Sequence, residues 1–190
     1  MNRRETLRWV GSIGIFYVLI PVWVVRSEPL LGRLLPNLEV PEPPAWLRIV
    51  GILVSLSGAG IAVLSIRAQV TIGQGHPFDL TGRQRLSRPT LNLLTRGVYF
   101  WCRNPMGLGD TLLYAGLAMS VGAVRSLVAN VSVYAVIVWW NHRFNERPSL
   151  LERFGSEFFD YERTTSCFVP GLRTFRKLRR RHGDKPSVIK

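Results

Sequence analysis

The sequence predicts an all-α integral membrane protein of about four transmembrane helices, the last two forming a tight hairpin, with a cytoplasmic amphipathic helix near the C-terminus. The first supporting observation is that 47% of the 190 residues are hydrophobic although the formal net charge is +13. The second is that the apolar residues are pooled in long runs, and residues 49–66 contain no charge over 18 positions. That length approaches the span of a bilayer core. A soluble nucleic-acid-binding protein would not pool its apolar residues in this way.

The first apolar run, residues 7–25, follows a short basic N-terminal stretch. No small-residue cleavage site follows it, so we interpret it as a transmembrane helix rather than a signal peptide. A kink is expected at Pro21, because proline removes a helical hydrogen bond. Residues 26–46 form a proline-rich connector in which acidic and basic residues roughly balance. By the positive-inside rule, this connector lies on the outer face.

The second predicted span covers residues 47–70, and its small residues favour close helix packing in lipid. The connector that follows, residues 71–105, has five arginines against one acidic residue, Asp79, which places it on the inner side. A connector of this length is usually functional or disordered. The small residues of the second span are Ser55, Ser57, Gly58, Gly60 and Ser65.

The third and fourth predicted spans cover residues 106–124 and 126–140. Only Arg125 separates them, so we expect a tight antiparallel hairpin, with shorter uncharged runs than in the second span. Asp110 lies in the first turn of the third span. An acid there is favoured by the helix dipole, but an ionisable residue in a span also suggests a polar group that faces a functional site. The sequence leaves both interpretations open.

Residues 148–161 have apolar side chains at helical spacing and predict an amphipathic helix on the inner surface. The densely basic tail from residue 171 to 190 is typical of an anchor to anionic lipid headgroups, and no folded nucleic-acid-binding module accompanies it. Both termini are therefore expected in the cytoplasm. Two cysteines, Cys102 and Cys167, do not indicate a disulfide framework, and no Cys/His cluster has the spacing of a metal site.

The rest of the chain is organised around residues 95–109, which are aromatic, basic and rich in glycine. Asn104 and Pro105 predict a helix start, with Asn at the N-cap and Pro at the first helical position. With Arg103 beside it, such a terminus can hold a carboxylate or phosphate. The alternative is an ordinary capped helix at a membrane surface, with aromatic interface anchors. Those anchors would be Tyr99, Phe100 and Trp101.

Three sequence blocks together resemble the isoprenylcysteine carboxyl methyltransferase and phospholipid methyltransferase superfamily of integral membrane enzymes. The blocks are Gly73-Gln74-Gly75-His76-Pro77, Gly97-Val98-Tyr99 continuing to Arg103-Asn104-Pro105, and Glu146 followed by Phe154-Gly155 and Tyr161. The resemblance covers residues 47–170 and departs from the family pattern twice. Gly107 stands where the family has Tyr, which suggests a roomier or differently shaped pocket, and Arg147 stands where it has a second Glu.

The resemblance implies methyl transfer from S-adenosylmethionine to a lipophilic or membrane-partitioned acceptor, such as an isoprenylcysteine carboxylate or a lipid. It divides the chain into an N-terminal helix and connector (1–46), a methyltransferase core (47–170) and the basic tail (171–190). Arg103 and Glu146 are the residues on which turnover is expected to depend. The expected cofactor-binding residues are Gly73, Gly75, Pro77, Tyr99, Arg103, Asn104, Pro105, Met106 and Glu146.

No metal and no nucleic acid is expected; the expected partners are the acceptor and the anionic lipids of a bacterial or archaeal cell membrane. A carboxylate acceptor would need no base, whereas a thiol or a lipid amine would need help to lose its proton, from His76 or Glu146. The alternative is a non-catalytic lipid-binding or assembly protein on the same scaffold, which the change at Arg147 favours. Binding of S-adenosylmethionine discriminates between the two.

Overall fold

The computed structural model describes residues 3–36, 42–75 and 90–169, and every regular element in those ranges is helical. Pro77 and the basic tail 171–190 lie outside the described residues. Three π-helical segments, Ile15–Leu19, Leu127–Val131 and His142–Glu146, join helices into longer continuous rods. The α-helices are α1 (Arg3–Gly14), α2 (Ile20–Arg26), α3 (Glu28–Leu34), α4 (Ala45–Thr71), α5 (Val98–Trp101), α6 (Pro105–Val121), α7 (Val124–Ser126), α8 (Ser132–Asn141) and α9 (Arg147–Thr164).

One described helix, α4, is by itself long and apolar enough to cross a membrane. Its 27 residues correspond to about 40 Å at 1.5 Å per residue. The segment Val10–Arg26 with α3 is a second candidate, bent by 45° at the break between them. A helix long and apolar enough to span a membrane is therefore confirmed at the predicted position 47–70. Part of the connector 26–46 is also helical, as α3, which the sequence did not predict.

The centre of the fold is the contact between α4 and α6, where glycines let the two backbones touch. A Cβ added to Gly58 would lie 2.6 Å from the carbonyl oxygen of Gly109, and one added to Gly116 would lie 2.5 Å from that of Gly51. The glycines recur every seven residues on both helices, so they form one antiparallel seam. Close packing is confirmed at Gly58, but Ser57 and Gly60 are exposed and do not take part. A Cβ added to Gly60 would have no neighbour within 4 Å.

The N-terminal rod departs from α geometry in the turn before Pro21. The N–H of Ile20 donates to the carbonyl of Ile15 instead of that of Phe16, and Pro21 has no N–H to offer. The Phe16 carbonyl instead accepts a hydrogen bond from the Tyr114 hydroxyl at 2.6 Å. At the position of the kink expected at Pro21, the structure has a π-helical segment in the preceding turn. The hydrogen bond from Tyr114 attaches this segment to α6.

The predicted outer end of the molecule is held by Glu28. Its carboxylate accepts hydrogen bonds from the backbone N–H of Ser126 at 2.8 Å and of Arg125 at 3.4 Å, at the start of the short helix α7. An acid is favourable at a helix N-terminus because the first N–H groups have no helical partner. Ser27 and Asn130 extend this polar contact through a hydrogen bond of 2.6 Å. The continuous rod that runs from α7 to α8 is thereby fixed to the N-terminal rod.

The chain turns between α6 and α7 at Gly122, whose φ of 76° places it in the left-handed region. Such a glycine is a common way to end a helix. The return rod then lies beside α6, with the rings of Tyr114 and Tyr134 packed edge to face at 4.8 Å between centroids. The predicted turn at Arg125 therefore lies three residues too late in the sequence, because glycine geometry and not charge ends α6.

Helix α9 changes direction at Gly155, which has a φ of 51°. A residue with a side chain would be strained there, which explains a glycine after Phe154. Beyond α9 the chain returns to the start of α6, where the N–H groups of Arg103 and Asn104 donate to the carbonyls of Ser166 and Cys167, both at 2.8 Å. This return segment fixes the backbone on which the predicted site stands.

Candidate functional site

A cavity of about 500 Å³ lies between the C-terminal ends of α4 and α8, the N-terminal half of α6, and α9. Five of the predicted site residues line it, although they come from two sequence blocks forty positions apart. Its wall is apolar where it follows α8 and polar near the start of α6. The five residues are Tyr99, Arg103, Asn104, Met106 and Glu146.

Asn104 caps α6, as predicted. Its side-chain oxygen accepts a hydrogen bond of 2.9 Å from the N–H of Gly107, and Pro105 occupies the first helical position. Pro105 itself is buried in the start of the helix and does not line the cavity. The capped N-terminus therefore borders the cavity through Asn104, Met106 and Gly107.

Arg103 is held in a fixed orientation by the end of α9. Its Nη1 donates to Glu162 at 2.7 Å and its Nε donates to the carbonyl of Thr165 at 3.0 Å, and the side chain is only 12% exposed. Two of its five N–H donors are therefore used within the protein. The guanidinium lines the cavity with its direction fixed by these two contacts.

Glu146 faces the cavity from the π-helical segment after α8. Its two oxygens are contacted by Asn141 Nδ2 at 3.0 Å and by His142 Nδ1 at 2.9 Å. Burial lowers the pKa of His142, but contacts with Cys167 and Glu146 outweigh it and raise that pKa to about 9. The carboxylate is still 31% exposed, so it can bind a further polar group from the cavity.

The departure from the family pattern at Arg147 has a structural explanation. Its Nε and Nη2 bind the two oxygens of Glu162 at 2.8 and 2.9 Å, in the two-pronged geometry that guanidinium and carboxylate favour. Hydrogen bonding to Arg147 and the nearby Arg103 lower the pKa of Glu162. Arg147 and Glu162 lie at opposite ends of the bent helix α9, and their ion pair holds Glu162 beside Arg103. Glu162 was not predicted as a site residue, because its only signal in the sequence is its place directly after Tyr161 in the family block.

The departure at Gly107 also has a local cause. A Cβ at this position would lie 2.5 Å from Cγ1 of Val138 and 2.9 Å from the capping oxygen of Asn104. The space that a larger residue would use is therefore filled by α8. The pocket is differently shaped at this point rather than roomier.

Tyr99 lies at the cavity wall with its hydroxyl bound to Gln69 Nε2 at 2.6 Å, and burial raises the pKa of that hydroxyl. Gly73 and Gly75 do not line the cavity. A Cβ on Gly73 would lie 2.7 Å from the carbonyl of Gln69 and 2.9 Å from Thr90. Because Gly73 has no Cβ, the chain after α4 can pass close to the segment that begins at Thr90. That segment borders the cavity through Thr90, Leu93 and Leu94.

Asp110 also lines the cavity, on the α6 face that carries Gly107 one turn earlier. Its Oδ1 accepts a hydrogen bond from Tyr17 at 3.0 Å and its Oδ2 accepts one from Tyr134 at 3.1 Å. Of the two interpretations that the sequence left open, the structure supports an acid that faces the site. The helix dipole does not account for it, because Asp110 lies beyond the first turn of α6.

The model of the phospholipid methyltransferase family matches residues 46–157. Two curated relatives, the protein-S-isoprenylcysteine O-methyltransferases of Mus musculus and Rattus norvegicus, are each 28% identical over 131 residues, which is 67% of this chain and 43% of theirs. The chain thus spans less than half the length of these curated relatives. No solved structure matches the chain. Because the family model covers more than half of the sequence, and because the resemblance that the motifs predicted is thereby confirmed, this chain belongs to the phospholipid methyltransferase family.

Proposed function

We propose that this chain transfers a methyl group from S-adenosylmethionine to a lipophilic acceptor that enters from the membrane. Family membership supports methyl transfer, and the two relatives are named for transfer to an isoprenylcysteine. In this proposal α4, α6, the α7–α8 rod and the N-terminal rod cross the membrane, and both termini are cytoplasmic. The polar mouth of the cavity then opens to the cytoplasm, where a water-soluble donor is available.

The observation that carries the proposal is that one cavity contains groups of opposite charge at fixed positions. S-adenosylmethionine has a carboxylate and an ammonium on the same carbon, so its site needs a cationic and an anionic partner close together. Arg103, with the capped start of α6, would hold the carboxylate. Glu146 would hold the ammonium or a ribose hydroxyl, and Tyr99 and Met106 would contact the remainder. Gly73 and Gly75 would act indirectly, through the Thr90 segment.

Bound S-adenosylmethionine supplies a methyl group that its sulfonium already activates, so the protein has mainly to position and desolvate the reactants. The structure contributes rigidity to that task. Glu162 and Thr165 fix the direction of Arg103, and Asn141 and His142 fix Glu146. Preorganised charges of this kind lose little on binding, because they are already oriented.

The alternative of a non-catalytic scaffold rested on Arg147. The structure gives Arg147 a supporting role, since it binds the same Glu162 that holds Arg103. The departure therefore leaves the polar groups of the cavity in place. It no longer favours a protein without catalysis over an enzyme.

The test is calorimetric titration of S-adenosylmethionine into the purified protein in detergent. We expect binding in the micromolar range, lost in Glu146→Gln. Glu157→Gln is the matched control, because Glu157 is an exposed acid on α9 that does not line the cavity. Absence of binding to folded wild-type protein, or equal binding by the two variants, would contradict the proposal.

A further inference from the structure

Of the described residues that line the cavity away from its polar mouth, toward the proposed membrane side, only Asp110 is charged. Its carboxylate is 2% exposed, yet it borders the cavity beside Tyr134 and Val138. Asp110 follows the capping Asn104 by six residues on α6, about 9 Å at 1.5 Å per residue. If the amino-acid part of the donor lies at the start of α6, Asp110 lies further along the same wall, toward the reacting end.

The surroundings of Asp110 provide hydrogen bonds but no positive charge. The cationic residues that line the cavity, within the described part of the chain, are Arg103 and Arg153. Both belong to the polar mouth, where Arg103 lies before the start of α6 and Arg153 lies on α9. The N-terminal rod, α6 and α8 also contribute uncharged residues to the cavity wall, among them Phe16, Gly107, Tyr134, Ile137 and Val138. A carboxylate placed among them would meet an acid and no cation, which is costly in a medium of low dielectric constant.

Two tyrosine hydroxyls leave half of the accepting capacity of this carboxylate unused. Tyr17 binds one oxygen and Tyr134 binds the other, whereas a carboxylate has about four lone-pair sites. A purely structural link between helices would need only a neutral amide, without the cost of an acid inside a span. The N–H or ammonium of an acceptor is the complementary group.

We propose that Asp110 determines the acceptor: it holds the N–H of a membrane-partitioned amine and takes its proton, and so selects amines over carboxylates. This rests on the proposed function. The acceptor ammonium gives one proton to the Asp110 carboxylate and becomes a neutral amine. A new bond then forms between nitrogen and the methyl carbon as the bond from that carbon to sulfur breaks, and the electron pair stays on sulfur. The products are a methylated ammonium and S-adenosylhomocysteine, and Asp110 returns its proton to solvent after release.

The positioning of Asp110 depends on a part of the chain outside the family match. Tyr17 belongs to the N-terminal rod, whereas the family model begins at residue 46. The π-helical segment that contains Tyr17 is attached to α6 through the bond from Tyr114 to the Phe16 carbonyl. The N-terminal rod thus positions the acid and is more than a membrane anchor.

The test uses two probes with the same tail: a farnesyl thioether that ends in a primary amine, and one that ends in a carboxylate. Their binding to the full chain in detergent is measured without the donor. We expect wild type to bind the amine about tenfold more tightly or better, as a hydrogen bond to a charged group provides, and Asp110→Asn to lose that preference. Equal or reversed preference in wild type, or an unchanged preference in Asp110→Asn, would overturn the proposal.

A third probe, with the same tail and a trimethylammonium end, tests the proposal in wild type alone, in case Asp110→Asn does not fold. It has the charge but no N–H, so we expect weaker binding than for the primary amine; equal binding would overturn the N–H contact. Tyr17→Phe keeps the carboxylate and removes one of its hydrogen bonds, so it should lower thermal stability while the amine preference remains. Calorimetry with S-adenosylmethionine separates this proposal from the general one, because Asp110→Asn should still bind the donor.

Discussion

The contact between α4 and α6 makes a sharp prediction, because two glycines on the same helix have opposite surroundings. Gly58 faces the backbone of α6, and a Cβ there would lie 2.6 Å from the carbonyl oxygen of Gly109, about 0.8 Å less than an ordinary contact of 3.4 Å. Gly60, two residues later, has nothing within 4 Å. Gly58→Ala and Gly60→Ala therefore make the same chemical change with and without a steric conflict.

The expected magnitudes follow from two opposing terms. Alanine improves the intrinsic stability of a helix by about 0.5–1 kcal/mol relative to glycine. Overpacking costs about 1–3 kcal/mol, and the upper part of that range applies to Gly58 because the opposing atoms are backbone and cannot rotate away. We expect Gly58→Ala to lose about 1–2 kcal/mol net, and Gly60→Ala to be neutral or more stable.

Thermal unfolding in one detergent, followed by the loss of helical signal, measures the difference. At about 2–4 °C per kcal/mol for a chain of this size, Gly58→Ala should unfold roughly 2–8 °C below wild type. Gly116→Ala should behave like Gly58→Ala, because its Cβ would meet the backbone of Gly51. A Gly58→Ala protein as stable as Gly60→Ala would show that the helices do not touch along this seam.

Three further changes test the site. Gly107→Ala should reduce donor affinity by pushing Val138 away from the start of α6, and Val138→Ala added to it should restore part of that affinity, because the contact with Asn104 Oδ1 remains. Calorimetry on the double variant decides whether the steric cause is correct. Asn104→Ala should cost about 1 kcal/mol in thermal unfolding because α6 loses its cap, whereas Asn104→Asp should keep most of that stability. The lowered pKa of Glu162 contributes stability above its unfolded pKa of about 4.3, and that stability is lost as the pH falls through the lower folded pKa. Wild type should therefore lose unfolding temperature in acid more steeply than Glu162→Gln, and parallel curves would contradict the role of the Arg147 pair.

The parts of the fold that sequence predicted are those that short-range chemistry determines. The start of α6 was predictable because the cap is made by Asn104 and Gly107, three residues apart, with a proline between them. Long uncharged runs likewise located α4 and α6 to within a few residues. Which small residues of α4 contact α6 was not predictable. Lipid and protein are equally apolar neighbours, so the sequence does not distinguish the packed Gly58 from the exposed Gly60.

Long-range polar contacts account for the missed part of the site. Arg103 was predicted to bind a carboxylate of the donor, and its partner Glu162, 59 positions away in the chain, was not predicted. Nothing near either residue indicates that pairing, and the bend at Gly155 that permits it depends on one positive φ angle. The sequence could name Arg103 as a site residue but not how it is held.

Asp110 shows how such a contact changes the meaning of a residue. In the sequence it is an acid near a helix start, and the helix dipole is sufficient to explain it. In the fold it receives a hydroxyl from Tyr17, 93 positions earlier, and another from Tyr134, and it borders the cavity. An acid at this position has an electrostatic consequence whatever its origin, since its negative charge disfavours an anionic ligand in the cavity. If the cavity binds the acceptor as we propose, the N-terminal rod and the core determine its identity together, and comparison of the core alone would not find it.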